Sequence, residues 1–163
     1  MRKRIILSIL VFILVLLSSS CGQSSDKQGI TDFFANANNS EVFQRSALIT
    51  TDLNGLSAKS QMYTPTQLAS ELQQFENRAS MSYTEMKAIV PPKILQSFWD
   101  KKIESTRLQL QAISLLRKRM NDTTITIDQI TVLLSQSNDL KISAGQELQD
   151  ICEKYGVDAA IAH

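Results

Sequence analysis

The sequence predicts an all-α protein, an antiparallel up-down-up-down four-helix bundle that follows a cleaved signal peptide and a short tether. Two observations carry this. Apolar residues recur in steps of three, four or seven along four separate stretches, the repeat of a helix face. The breaks between those stretches hold helix-capping and proline chemistry, and no strand candidate of comparable strength appears.

The chain opens on Met1-Arg2-Lys3-Arg4, followed by Ile5 to Leu17, thirteen residues interrupted only by Ser8. Ser18, Ser19, Ser20 and Cys21 then close the run with small side chains. Charged start, short apolar run and small-residue end are the layout of a secretory signal over residues 1–20. Thirteen residues at about 1.5 Å each reach roughly 20 Å, short of a hydrocarbon core of about 30 Å. A permanent span is therefore the weaker reading.

Residues 21–39 read as a tether. Gly22 to Gly29 (GQSSDKQG) is polar and Gly/Ser-containing. Ile30, Phe33, Phe34 and Ala37 suggest a short turn of helix, broken by Asn36, Asn38 and Asn39. The bundle is expected over residues 40–156. Its first helix is placed from about Ser40 to Met62, with Val42, Ile49, Leu53 and Leu56 on one face.

The second helix has a capping box. In Thr64-Pro65-Thr66-Gln67 the hydroxyl accepts from the Gln67 amide, the Gln side chain returns to the Thr64 amide, and Pro65 fits the first helical position. Leu68, Leu72, Phe75, Ala79, Met86 and Ile89 form its stripe, and Pro91-Pro92 ends it. The third helix, opened by Pro92, carries Leu95, Trp99, Ile103, Thr106, Leu110, Ile113, Leu116 and Met120. The fourth repeats the cap as Thr126-Ile127-Asp128-Gln129 and presents Ile130, Leu133, Ser137, Leu140, Ala144, Leu148, Ile151 and Tyr155, with Gly156 as its terminator. Residues 157–163 read as a loose tail. Short connections favour antiparallel neighbours, hence the bundle.

Composition excludes several function classes. Of seventeen Lys and Arg, three lie in the leader; the other fourteen face sixteen acids, all beyond Cys21, so the mature part is near −2. A nearly neutral domain has no electrostatic basis for nucleic acid binding. The only histidine is His163, at the final position, which removes the Glu-x-x-His ligand pattern of helix-bundle metal sites. Metal ligands, cofactor-binding residues and catalytic residues are all expected to be absent. Ser24-Ser25-Asp26-Lys27 matches S-x-x-K, but in a tether nothing holds the lysine against the serine. Cys152, beside Ile151 on the apolar side, reads as core filler without a histidine to activate it.

Two carboxylate pairs, Asp100 with Glu104 and Glu147 with Asp150, read as solvated ion-paired faces, given Arg107 and Lys154 nearby. Phe98 and Trp99 are adjacent, so only one is expected at the bundle centre, the other against a neighbouring helix or at the surface, with core packing favoured over an exposed docking spot. Arg117, Lys118 and Arg119 form the densest basic patch. Their last-turn position suits the helix dipole, and they are the candidate partner contact, on the pole away from the membrane.

The stretch Leu16-Leu17-Ser18-Ser19-Ser20-Cys21-Gly22 resembles the lipobox of bacterial lipoproteins. That family has Leu three residues before the cysteine; here Ser18 is there and Leu17 is one further back, while Ser18 and Ser20 also suit an ordinary signal peptidase. The resemblance covers residues 1–22 and implies a diacylglyceryl and acyl (palmitate-type) lipid on Cys21. It also implies export, and attachment to the outer face of the cell membrane or to the outer membrane. The expected role is then a lipid-anchored envelope module, structural or interacting, meeting an envelope protein or cell-wall partner. The alternative is a binder of a small apolar or peptide ligand, in a cavity near Met62, Phe75, Met81 and Met86.

Overall fold

The computed structural model describes residues 24–36, 41–49, 51, 55 and 62–158. The leader, Cys21 and His163 lie outside the described residues. Among the described residues five helical stretches follow one another: α1 (residues 24–35), α2 (residues 41–49), α3 (Pro65–Ala88), α4 (Gln96–Arg119) and α5 (Ile127–Tyr155), with a 3₁₀ turn at Lys93–Leu95 leading into α4. Among the described residues there is no strand.

Both capping boxes form. Thr64 Oγ1 accepts from the Gln67 amide at 3.3 Å while Gln67 Oε1 accepts from the Thr64 amide at 2.9 Å. Thr126 and Gln129 repeat this at 3.3 and 3.0 Å. Each box satisfies two amides that a helix start otherwise leaves without partners. α3 ends where Ile89 turns extended, two residues before Pro91. α5 ends at Gly156, whose φ of 62° is left-handed, and the next amide, of Val157, donates to the Cys152 carbonyl at 2.9 Å.

The contacts between helices run in opposite senses along each pair. Between α3 and α4, Met86 meets Trp99 and Thr106 while Glu76 meets Arg117. Between α4 and α5, Ser97 meets Glu147, Lys101 meets Ser143, and Ser105 meets Ser137. The interior divides into two clusters. One lies where α1, α2, the end of α3, the start of α4 and the end of α5 converge, around Phe33, Phe34, Met86, Trp99 and Cys152. The other joins Ile49 of α2 to Leu72 and Phe75 of α3 and Ile113 of α4.

Two features differ from the sequence reading. Residues 24–35 form a helix where a tether was expected, because Ile30, Phe33 and Phe34 are buried and hold it against the domain. Phe98 and Trp99 are both buried, 3% and 0% exposed, in line with one ring at the centre and the other against a neighbouring helix, since α4 is covered on more than one face. Phe33 lies 5.4 Å from Trp99 and Phe34 lies 6.1 Å from Phe98, ring centre to ring centre. The second difference is at α4, which begins at Gln96, while Pro92 opens the 3₁₀ turn instead.

Candidate functional site

Polar side chains shielded from water meet on the α4–α5 seam. Ser105 and Ser137, both 1% exposed, cross-link the helices: each hydroxyl donates to the other residue's carbonyl at 3.0 Å, with the oxygens 2.9 Å apart. Only small side chains let two helices approach closely enough for this exchange. The hydroxyls are occupied by carbonyls, and among the described residues no histidine or carboxylate is bonded to them as a base, so the pair holds the helices together.

One turn towards the start of α4, Lys101 Nζ pairs with Glu147 Oε2 at 2.8 Å and donates to Ser143 Oγ at 3.0 Å; Ser97 Oγ donates to the same carboxylate at 3.1 Å. Burial alone raises the Glu147 carboxyl, but the bonds from Lys101 and Ser97 and the Lys101 charge outweigh it and hold the group below the usual carboxylate range. Glu147 is thus a cross-helix tie, where the sequence suggested only a solvated face. Asp100 instead accepts from Gln96 at 2.9 Å, and Glu104 is held by both Arg107 Nε and Nη2. Asp100 and Glu104 do not act as a pair.

Between these ties sit Lys102 and Lys141. The Lys102 ammonium lies 5.5 Å from the centre of the Phe43 ring, and burial lowers its pKa. Lys141 is lowered to about 8, first by burial and then by the charge of Lys102. These residues are 39 apart in the chain, and only the helix register brings them together.

The basic triplet is split by the structure. Arg117 pairs with Glu76 of α3, and Arg119 donates to the Ile125 carbonyl in the α4–α5 connection. Lys118 is exposed and borders an open cleft of about 670 Å³ with Pro65, Thr66 and Gln73. Two of the three candidate contacts are therefore committed to scaffold bonds.

Met62, Phe75, Met81 and Met86 do not converge on one cavity. Phe75 and Met86 are buried in separate clusters, whereas Met62 and Met81 are 85% and 60% exposed. Cys152 is buried, and burial followed by the Asp158 charge raises its thiol, keeping it protonated. Among the described residues no group of three or more His, Cys, Asp or Glu is placed to hold a metal ion, and no helix is long and apolar enough to cross a membrane. No protein-family model, curated protein or solved structure matches the chain.

Proposed function

We propose that this is an exported lipoprotein, held to the envelope membrane by acyl chains on Cys21, whose helical domain is an interaction or structural module and not an enzyme. The observation that carries the reading is the leader: a basic start, an apolar run too short for a stable span, and a stop at a thiol. The domain's chemistry supports the non-catalytic half. The polar groups of Ser105–Ser137, Lys101–Glu147 and Glu76–Arg117 are spent on helix-to-helix ties. For the architecture, we propose that α2 to α5 make an up-down-up-down bundle with α1 laid against one end. The Arg45–Glu85 ion pair at 2.9 Å supports opposite directions for α2 and α3, because Ile49, further along α2, packs with Phe75, earlier in α3.

The test is metabolic labelling with a fatty acid in a bacterial host, wild type beside Cys21→Ala. Label on the wild type alone, with the wild type in the membrane fraction, is the expected result. Equal labelling of both, or a wild-type chain free in the soluble fraction, overturns it.

A further inference from the structure

We infer that the pole of the domain formed by α1, the Ile89–Pro92 corner and the end of α5 lies against the bilayer surface, with Val90 and the Lys87 and Lys93 ammoniums at the contact, and that the Arg117–Arg119 pole points away. This rests on the reading of Cys21 as the acylated residue and specifies how the domain then sits.

The argument is one of reach. The helix of α1 is already present at Ser24, three residues after Cys21. Three residues span at most about 11 Å when fully extended. α1 cannot drift away to lengthen the leash, because Ile30, Phe33 and Phe34 are buried in the domain. A lipid on Cys21 therefore brings whatever surrounds the start of α1 to the membrane.

What surrounds it is well defined. A Cβ placed on Gly29 would lie 3.9 Å from Pro92 Cγ, and one on Gly156 would lie 3.9 Å from Lys27 Nζ. Gly29, Asp32, Phe33 and Asn36 share an open groove of about 430 Å³ with Ile89, Val90 and Pro92. The start of α1, the α3–α4 corner and the α5 terminus thus share one pole. The other pole lies the length of α4 away: 24 residues, or about 36 Å. That exceeds the leash about threefold.

The corner suits an interfacial position. Val90 is 87% exposed and precedes two consecutive prolines, so its backbone is held extended and its side chain stands out in water. Exposed Lys87 and Lys93 flank it, able to meet phospholipid phosphates while Val90 enters the head-group boundary.

The experiment uses the full acylated chain in phosphatidylethanolamine–phosphatidylglycerol vesicles. A thiol-reactive NBD fluorophore is attached to Val90→Cys or to Lys118→Cys, each combined with Cys152→Ala, and quenching by bromine-labelled lipid chains is compared. Quenching several-fold stronger at 90 than at 118 is expected. A 20-residue Gly/Ser insert between Cys21 and Ser24, with an average reach of about 25 Å, should erase the difference. Equal quenching, or more at 118, in protein that floats with the vesicles overturns the inference alone. Protein without acyl mass that fails to float overturns the reading of Cys21, and the orientation with it. Should circular dichroism show that Val90→Cys does not fold, Lys93→Cys reports on the same pole.

Discussion

Ser105 of α4 and Ser137 of α5 exchange hydroxyl-to-carbonyl hydrogen bonds across a seam where both residues are almost wholly buried. Replacing either with Ala removes one of the two donors and leaves the other bond in place. Each single variant should lose about 0.5–1.5 kcal/mol in urea unfolding. Ser137→Leu should lose more, because the seam has no room for a branched side chain, with overpacking typically costing about 1–3 kcal/mol. A Leu variant as stable as wild type would show that the helices are not in close contact there.

The packing of α1 gives a second expectation. Phe34 touches the rings of Phe33, Phe43 and Phe98 from a segment whose composition suggests a linker. Phe34→Ala should destabilise the domain by about 3–5 kcal/mol, as for other buried aromatics. Deletion of residues 24–36 should expose Phe98 and increase binding of a hydrophobic dye. Unchanged stability on either alteration would mean that α1 is dispensable.

Why the sequence concealed α1 is instructive. Residues 24–28 are exposed and polar, and an isolated helix of twelve residues is marginal in water. Its helicity depends on three apolar side chains finding a site built by α2, α4 and α5. Composition cannot show that, whereas the helix starts at Thr64 and Thr126 are local chemistry and were legible. The stripes of α3 and α5 were legible too, since Leu72, Phe75, Ala79 and Met86, and Ile130, Ser137, Ala144 and Leu148, are buried. α4 was only half read. Placed between partners, it buries Phe98, Ser105, Leu108 and Gln109 besides its main stripe, which a one-face argument misses. Of the candidate contacts, the basic triplet was visible, but the partners of Arg117 and Arg119 are tertiary. The Lys102–Lys141 pair left no sequence signal.

Gly156 ends α5 at a φ of 62°, where a Cβ meets no backbone but does meet conformational strain. Gly156→Ala should therefore cost about 1–2 kcal/mol, the usual penalty for an L side chain in left-handed geometry. Thermal unfolding of the two proteins at one protein concentration checks this. No shift in midpoint would mean that the helix terminates differently.

Lys141 makes stability depend on pH in a defined direction. Its folded pKa of about 8 lies below the value near 10.4 of a free lysine, so the unfolded chain binds more protons between them. Stability should rise from pH 8 towards pH 10, and the penalty should be complete below about pH 8. Lys141→Met should raise stability at pH 7 and flatten that rise. Lys102 is shifted the same way by burial and leaves a residual slope. A wild-type profile falling over this window would contradict the close approach of these two half-buried ammoniums.

The membrane anchor is tested most directly by the intact mass of the mature protein, purified from the membranes of an expressing bacterium. The prediction is a chain beginning at Cys21 and heavier than residues 21–163 by a diacylglyceryl group, with or without a further acyl chain. A chain that starts at any other residue, or one whose mass equals that of its amino acids alone, contradicts it.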